Sequence, residues 1–315
     1  MKMKIVLLES LGISNDLLVK YVDKLKEKGH EFEFYERDLD VDKQIMRLHG
    51  ADVLMIANMP LDERIIAECE SLKFINIAFT GVDHVPTASA KEKNIAVSNA
   101  SGYSNDSVAE LVLGLTLSLL RKLPQVDVLT RNGGVVGDLV GNELKGKTVG
   151  IIGTGAIGSR TAELFNAFGC KVLGYDTQNV DLIGVDHVEL DELYEHSDII
   201  SLHCPLIEST RGLINEEAIN RMKDGVVFIN AARGPIVDSD ALAKALISGK
   251  VGAAGIDVYE IEPPLATDHP LLHTPNTIVA PHIAYLSRES MEKRAKIVFD
   301  SLDSWIAGNQ VNKIV

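Results

Sequence analysis

The 315-residue chain predicts an α/β protein built of two doubly wound, parallel-sheet domains. Apolar runs of strand length alternate with amphipathic helical stretches along nearly the whole sequence. These runs fall into two series: residues 4–8, 31–35, 52–57, 74–78 and 95–98, then 148–152, 171–175, 198–202, 226–229, 252–258 and 277–280. Alternation of this kind favours parallel strands joined by crossover helices. The length allows two domains with a core in each.

In the first series, helices are expected over residues 16–28 and 62–70. The domain boundary falls in residues 101–147, where Ser104, Asn105 and Asp106 offer N-caps for a long apolar helix ending near Lys122. The glycine-rich stretch from Asn132 to Gly146 reads as an exposed arm or loop. After the last strand of the second series, Ser287 is placed to cap a helix reaching about Ala307, which could pack on either domain.

Hydrophobic residues make up 46% of the chain and charged residues 24%, the values of an ordinary globular protein. A formal charge of −14 argues against nucleic acid or an anionic membrane as the main partner, since both need a basic patch. Cys69, Cys170 and Cys204 are too few and scattered for a disulfide framework or a CxxC metal site, so no metal is expected. The apolar start of the chain stops at Glu9, too early for a signal peptide, and the apolar stretch 111–120 is too short to span a bilayer. A cytoplasmic location is the expectation.

Gly153-Thr154-Gly155-Ala156-Ile157-Gly158 follows one strand directly and opens a helix expected over 159–168. The next strand ends at Asp176, about 20 residues on, as in a dinucleotide-binding βαβ unit. The first glycine makes the turn, the second admits a pyrophosphate, and the third lets helix and strand pack closely. The helix N-terminus would present N–H groups to the phosphates. Asp176 can accept from the ribose hydroxyls and would repel a 2′-phosphate, while Thr177 and Gln178 stand where an NADP enzyme would often place an arginine. The expected cofactor is NAD; a plain structural turn is the alternative.

A doubly wound sheet binds ligands at its carboxyl edge. In the second series those strand ends carry His203, Cys204 and Pro205, then Asn230-Ala231-Ala232-Arg233, then Asp257, then Pro281 and His282, with Glu262 a short loop past Asp257. An arginine can fork onto a carboxylate and a carbonyl oxygen. A histidine can protonate that oxygen as hydride arrives at carbon, and a carboxylate beside it favours the imidazolium. The trio suits hydride transfer between NAD and a 2-oxo or 2-hydroxy acid. Taken singly, His282 would be a structural histidine, Glu262 a surface carboxylate and Arg233 a solvated loop residue; their joint placement at strand ends lifts them.

The stretches "VGIIGTGAIGSRTAELFNAFGCKVLGYD", "HCPLIESTRGLIN", "FINAARGPIVD", "GIDVYEIEP" and "APHIA", in that order, resemble the D-isomer-specific 2-hydroxyacid dehydrogenase family over essentially the whole chain. The resemblance implies Arg233, Glu262 and His282 as the catalytic trio. It implies cofactor contacts from Gly153, Gly155, Ala156, Ile157, Gly158, Asp176, His203, Pro205, Thr210, Ala231, Ala232, Arg233, Asp257, His282 and Ala284. It further implies that Thr80, Gly81 and Val82, with Arg233 and His282, hold the substrate; on the sequence alone residues 80–83 could equally be a turn.

By the same resemblance, a Rossmann NAD-binding domain of residues 102–284 is inserted into a flavodoxin-like substrate domain of residues 1–101 and 285–315. The two would hinge about a cleft, and two subunits would pair through their NAD-binding domains. One departure is the glycine-rich arm 133–141, which lacks the tryptophan often found there.

Tyr285 stands where relatives acting on hydroxypyruvate or glyoxylate often carry an aromatic residue, which favours those substrates. Lactate-type or branched 2-oxo acids and phosphoglycerate are the alternatives, the last calling for further cationic residues. A formate- or phosphite-type dehydrogenase is a rival enzyme, and an NAD-sensing binding protein a rival of another class.

Overall fold

In the computed structural model, which describes residues 2–178, 182–261 and 264–315, the backbone divides into two units. One comprises the residues up to Ser104 together with Leu286–Val315, the other Asn105–Tyr285.

The first unit begins with β1 (Lys4–Leu7), α1 (Asn15–Glu27), β2 (Glu31–Phe34), α2 (Val41–Arg47), β3 (Val53–Ile56), α3 (Glu63–Glu68), β4 (Phe74–Ile77), α4 (Thr87–Glu92) and β5 (Ala96–Asn99). Its five strands are all parallel in the order β2-β1-β3-β4-β5, the flavodoxin-like arrangement. Every residue of β3 and β4 is buried, as expected of central strands covered on both faces. Ser14, Asp40 and Asp62 cap α1, α2 and α3, each side chain accepting from a backbone N–H of the first turn.

The second unit opens with α5 (Asn105–Leu120) and α6 (Leu123–Arg131). Its sheet is built of β6 (Thr148–Ile152), β7 (Lys171–Tyr175), β8 (Val185–His187), β9 (Ile199–Leu202), β10 (Val226–Asn230), β11 (Val251–Ile256) and β12 (Thr277–Val279). The helices between them are α7 (Ala156–Ala167), α8 (Leu190–His196), α9 (Glu216–Arg221) and α10 (Ser239–Ser248). The order β12-β11-β10-β9-β6-β7-β8 is the Rossmann arrangement extended by one strand. One apolar layer packs Val112, Leu115 and Phe165 against Val149, Ile151 and Ile229, and a second packs Leu193, Leu242 and Leu246 against Ile200, Leu202 and Phe228. The sheet is thus covered on both faces.

The last helix, α11 (Arg288–Ile306), settles the question left open by the sequence, because it packs in the first unit. Ser287 and Ser290 form a reciprocal capping box at its start. Phe299 stacks on Tyr21 and Trp305 on Phe74, with ring centroids 4.4 and 4.6 Å apart. The Asn76 amide, buried in β4, donates to the Val298 carbonyl at 2.7 Å.

Three local details depart from expectation. The apolar helix stops at Leu120 and a second helix follows, because Lys122 takes a left-handed conformation (φ 52°) and Pro124 lies in the new first turn. The helix after the glycine motif begins at Ala156, three residues early, with Gly155 as its N-cap. The short strand β8 had no apolar run to announce it. Among the described residues no helix is long and apolar enough to cross a membrane.

Candidate active site

Within the second unit, β6 and β9 are hydrogen-bonded neighbours far apart in sequence, and the chain winds away from them in opposite directions. This is the point where a doubly wound sheet opens a crevice. The glycine turn sits there. At Gly153 (φ 95°) a Cβ would lie 2.5 Å from the Cys204 nitrogen, so only glycine lets the loops after β6 and β9 touch. At Gly158 a Cβ would lie 1.9 Å from the Gly153 oxygen, which makes this the helix–strand contact. A Cβ at Gly155 would meet nothing within 4 Å, so the backbone there faces open space. With Ala156 and Ile157 it forms the start of a 12-residue helix, whose free N–H groups are of the kind that suits an anion.

Asp176 closes this turn. Its carboxylate accepts from the Thr154 N–H at 2.7 Å and from the Gln178 N–H at 3.1 Å. Burial raises its pKa, but the hydrogen bonds from Gln178 and Thr154 outweigh that and hold it below the ordinary aspartate range. The acid is therefore ionised at the end of β7.

Past β9, His203 meets the Ser201 hydroxyl through Nε2 at 2.9 Å, and burial pushes its imidazole down to about 3. It is neutral at physiological pH. Thr210 closes the following loop, donating to the Pro205 carbonyl at 2.6 Å and accepting from the Ile207 N–H at 2.9 Å. Burial pushes the Cys204 thiol up to about 11, which makes it a poor nucleophile.

At the end of β10, buried Asn230 brackets the next three residues. Its amide donates to the Arg233 carbonyl and its oxygen accepts from the Ala232 N–H, both at 3.0 Å. Arg233 itself donates from Nη1 to the Ala232 carbonyl at 2.8 Å. Behind it, a Cβ on Gly234 would fall 1.8 Å from the carbonyl carbon of Tyr259. The loop bearing Arg233 thus lies directly on the backbone that follows β11.

Asp257, expected against the cofactor, is fully buried and its carboxylate holds the chain's own backbone. Its two oxygens accept from the N–H groups of Ile283 and Ala284, each at 2.8 Å, while its carbonyl accepts from His282. That triple hold keeps His282 in a left-handed conformation (φ 58°), which costs a non-glycine residue of order 1 kcal/mol or more. The Ala284 carbonyl accepts from the Ser107 hydroxyl at 2.6 Å, and the Tyr285 ring stands edge-on to the His282 imidazole, centroids 5.4 Å apart. Glu262 lies outside the described residues.

In the first unit, Thr80, Gly81 and Val82 follow β4. The Thr80 carbonyl accepts from the Asn99 amide at 2.7 Å, the Val82 carbonyl from the Val85 N–H at 3.0 Å, and the buried Thr80 hydroxyl has no hydrogen-bond partner among the described residues. Asn230 and Gly234, not among the expected site residues, build the loop that carries Arg233. An asparagine ending a strand before Ala-Ala-Arg-Gly-Pro was the available signal for a side chain bracketing a turn.

A glycine turn at the switch point, a helix start open to anions and an ionised acid at the next strand end fit a dinucleotide and define an NAD-binding dehydrogenase domain. Residues 113–284 match the NAD-binding domain of the D-isomer specific 2-hydroxyacid dehydrogenases. A hydroxypyruvate reductase from Thermotoga maritima is 40% identical over 89% of this chain and 92% of its own length. One from Blautia hydrogenotrophica is 36% identical over 87% and 88%. The crystal structure of D-lactate dehydrogenase from Aquifex aeolicus, complexed with NAD and lactic acid, superposes with a TM-score of 0.87 at 32% identity, covering 97% of this chain and 96% of that one. The chain belongs to the D-isomer-specific 2-hydroxyacid dehydrogenase family, and it is an NAD-dependent enzyme of 2-hydroxyacid reduction.

Proposed function

We propose that the enzyme reduces a small 2-oxo acid, hydroxypyruvate or glyoxylate before lactate-type, branched or phosphorylated acids, to the D-2-hydroxy acid. The observation that carries this reading is His282, held in a left-handed conformation by the buried carboxylate of Asp257 with the Tyr285 ring against it. Backbone strain fixed this firmly accompanies a side chain whose direction matters.

In this reading the Arg233 guanidinium takes the substrate carboxylate and polarises its carbonyl, and the N–H groups of Thr80, Gly81 and Val82 share the carboxylate. His282 gives its proton to the carbonyl oxygen, with Glu262 as the paired carboxylate that would favour the protonated ring. Gly153, Gly155, Ala156, Ile157 and Gly158 would hold the pyrophosphate and Asp176 the adenosine ribose; His203, Pro205, Thr210, Ala231, Ala232 and Ala284 would line the rest of the cofactor. Bound NADH supplies the hydride. Asp257 acts through the turn it holds. Among known relatives, the two hydroxypyruvate reductases support the substrate preference.

Pairing of two subunits through the second unit is part of the proposal. Leu123, Val128, Val135, Val136 and Val140 are exposed on α6 and the arm after it, beside a groove of about 610 Å³ lined by Pro124, Val128 and Leu139. Light scattering should return twice the 34.3 kDa chain mass.

The decisive experiment is NADH oxidation with hydroxypyruvate, glyoxylate, pyruvate, phenylpyruvate, 2-oxoisocaproate and phosphohydroxypyruvate. Turnover should be fastest on the first two and fall on the order of 10²–10⁴-fold in His282→Ala. Tight NADH binding without turnover on any of them would overturn the assignment to these 2-oxo acids and raise the other-substrate or NAD-sensing reading.

A further inference from the structure

The first unit carries polar side chains that the proposed reaction does not use, and one of them, His84, joins two loops. β3 and β4 are paired parallel neighbours, so the loops that follow them leave the sheet side by side. His84 Nε2 donates to the Ala57 carbonyl at 2.8 Å; a carbonyl only accepts, so the ring proton sits on Nε2. The His84 carbonyl in turn accepts from the Leu61 N–H at 2.9 Å. The ring stands edge-on to buried Phe79, centroids 6.1 Å apart. Side chain and backbone of one residue thus fasten the turn after β4 to the loop after β3.

That loop is itself held. Glu9, buried just past β1, takes the N–H groups of Ala57 and Met59 on one oxygen, Oε1, at 2.7 and 2.8 Å. Its other oxygen pairs with Arg37 Nη1 at 3.4 Å, and the same nitrogen donates to the Asn58 side chain at 3.2 Å. Residues 57–59 are therefore fixed to the exits of β1 and β2. His84 lies two residues past Val82, inside the turn that the Val85 N–H closes on the Val82 carbonyl. On its other flank the same stretch is tied by Asn99, whose amide donates to the Thr80 carbonyl. Thr80, Gly81 and Val82 thus hang between two anchors, Asn99 and His84.

We propose that His84 is a positioning residue for the substrate carboxylate: by clamping the turn after β4 to the loop that Glu9 holds, it fixes the Thr80, Gly81 and Val82 N–H groups before the substrate arrives. The inference rests on the proposed reduction of a 2-oxo acid, with its carboxylate on those N–H groups. Donors that are already ordered bind more tightly than donors that must be ordered on contact. The carboxylate is not the reacting group and is held alike in ground and transition states, so the effect belongs in KM and not in kcat. Every 2-oxo acid carries that group, so the rest of the substrate should not matter.

The test compares wild type, His84→Ala and His84→Gln on each 2-oxo acid of the panel that wild type reduces, with NADH affinity read separately by fluorescence. In His84→Ala, KM should rise about 3–10-fold, the scale of one hydrogen bond, and by the same factor on each substrate. In the same variant kcat should stay within about twofold of wild type, and NADH affinity should not change. His84→Gln carries an amide nitrogen close to the place of Nε2 and should recover most of the loss. Unchanged KM, a rise confined to one substrate, or no recovery in His84→Gln overturns the proposal. If His84→Ala does not fold, His84→Leu, which keeps bulk against Phe79 but cannot donate, should show the same rise, and a wild-type KM there is equally fatal. A wild type inactive on the whole panel would instead overturn the proposed function.

Discussion

At the carboxyl edge of the first unit's sheet, the loops are stapled by buried polar side chains. Glu9 accepts from the N–H groups of Ala57 and Met59 at 2.7 and 2.8 Å, Asn99 donates to the Thr80 carbonyl, and buried Arg294 donates to the Leu11 carbonyl at 2.7 Å. At the same edge of the second unit, glycines bring backbone onto backbone: Gly153 onto His203 and Cys204, Gly158 onto Gly153, Gly234 onto Tyr259. A staple can be replaced by another side chain of similar reach. A backbone contact closer than a Cβ allows cannot, so the edge that carries the dinucleotide and Arg233 has far less room to vary.

The sharpest way to break this comparison is to add one methyl group. Gly234→Ala places a carbon 1.8 Å from the Tyr259 carbonyl carbon, where only backbone could yield, and should cost about 3 kcal/mol or more in urea unfolding. Glu9→Ala strips two buried N–H groups of their acceptor and should cost about 2 kcal/mol. NADH affinity by fluorescence titration should stay at the wild-type value in this variant, since Glu9 belongs to the other unit. Equal costs for the two, or weakened NADH binding in Glu9→Ala, would erase the distinction.

The smallest effect is one of pH. His203 has its pKa pushed from 6.5 to about 3 by burial, so above pH 6.5 it contributes nothing to the pH dependence of stability. Below that, the unfolded chain binds a proton that the folded chain refuses, and stability drains away as the pH falls toward 3. Between pH 7 and pH 5 the loss should be about 1 kcal/mol for this partly exposed ring, and His203→Asn should remove that share of the acid slope in denaturant titrations.

Much of the fold was legible because its signals are local. Strand-length apolar runs, the Gly153-Thr154-Gly155-Ala156-Ile157-Gly158 turn and Asp176 all declare themselves within a window of about 30 residues, the span of one βαβ unit. The break at Lys122 was less so, since a left-handed residue leaves no mark in an otherwise helical run. The residue types at the strand ends could be read, but not their partners.

By itself the sequence determined two doubly wound domains, a dinucleotide turn and the strand ends at which charged residues stand, because backbone propensity and hydrophobic period act between near neighbours. Tertiary structure alone decided that Asp257 spends its carboxylate on Ile283 and Ala284, that His282 is thereby held left-handed, that Gly234 rests on Tyr259, and that α11 packs in the first unit. Each of these joins residues some 25 to more than 200 positions apart, and no local pattern encodes a contact made only when the chain has closed on itself.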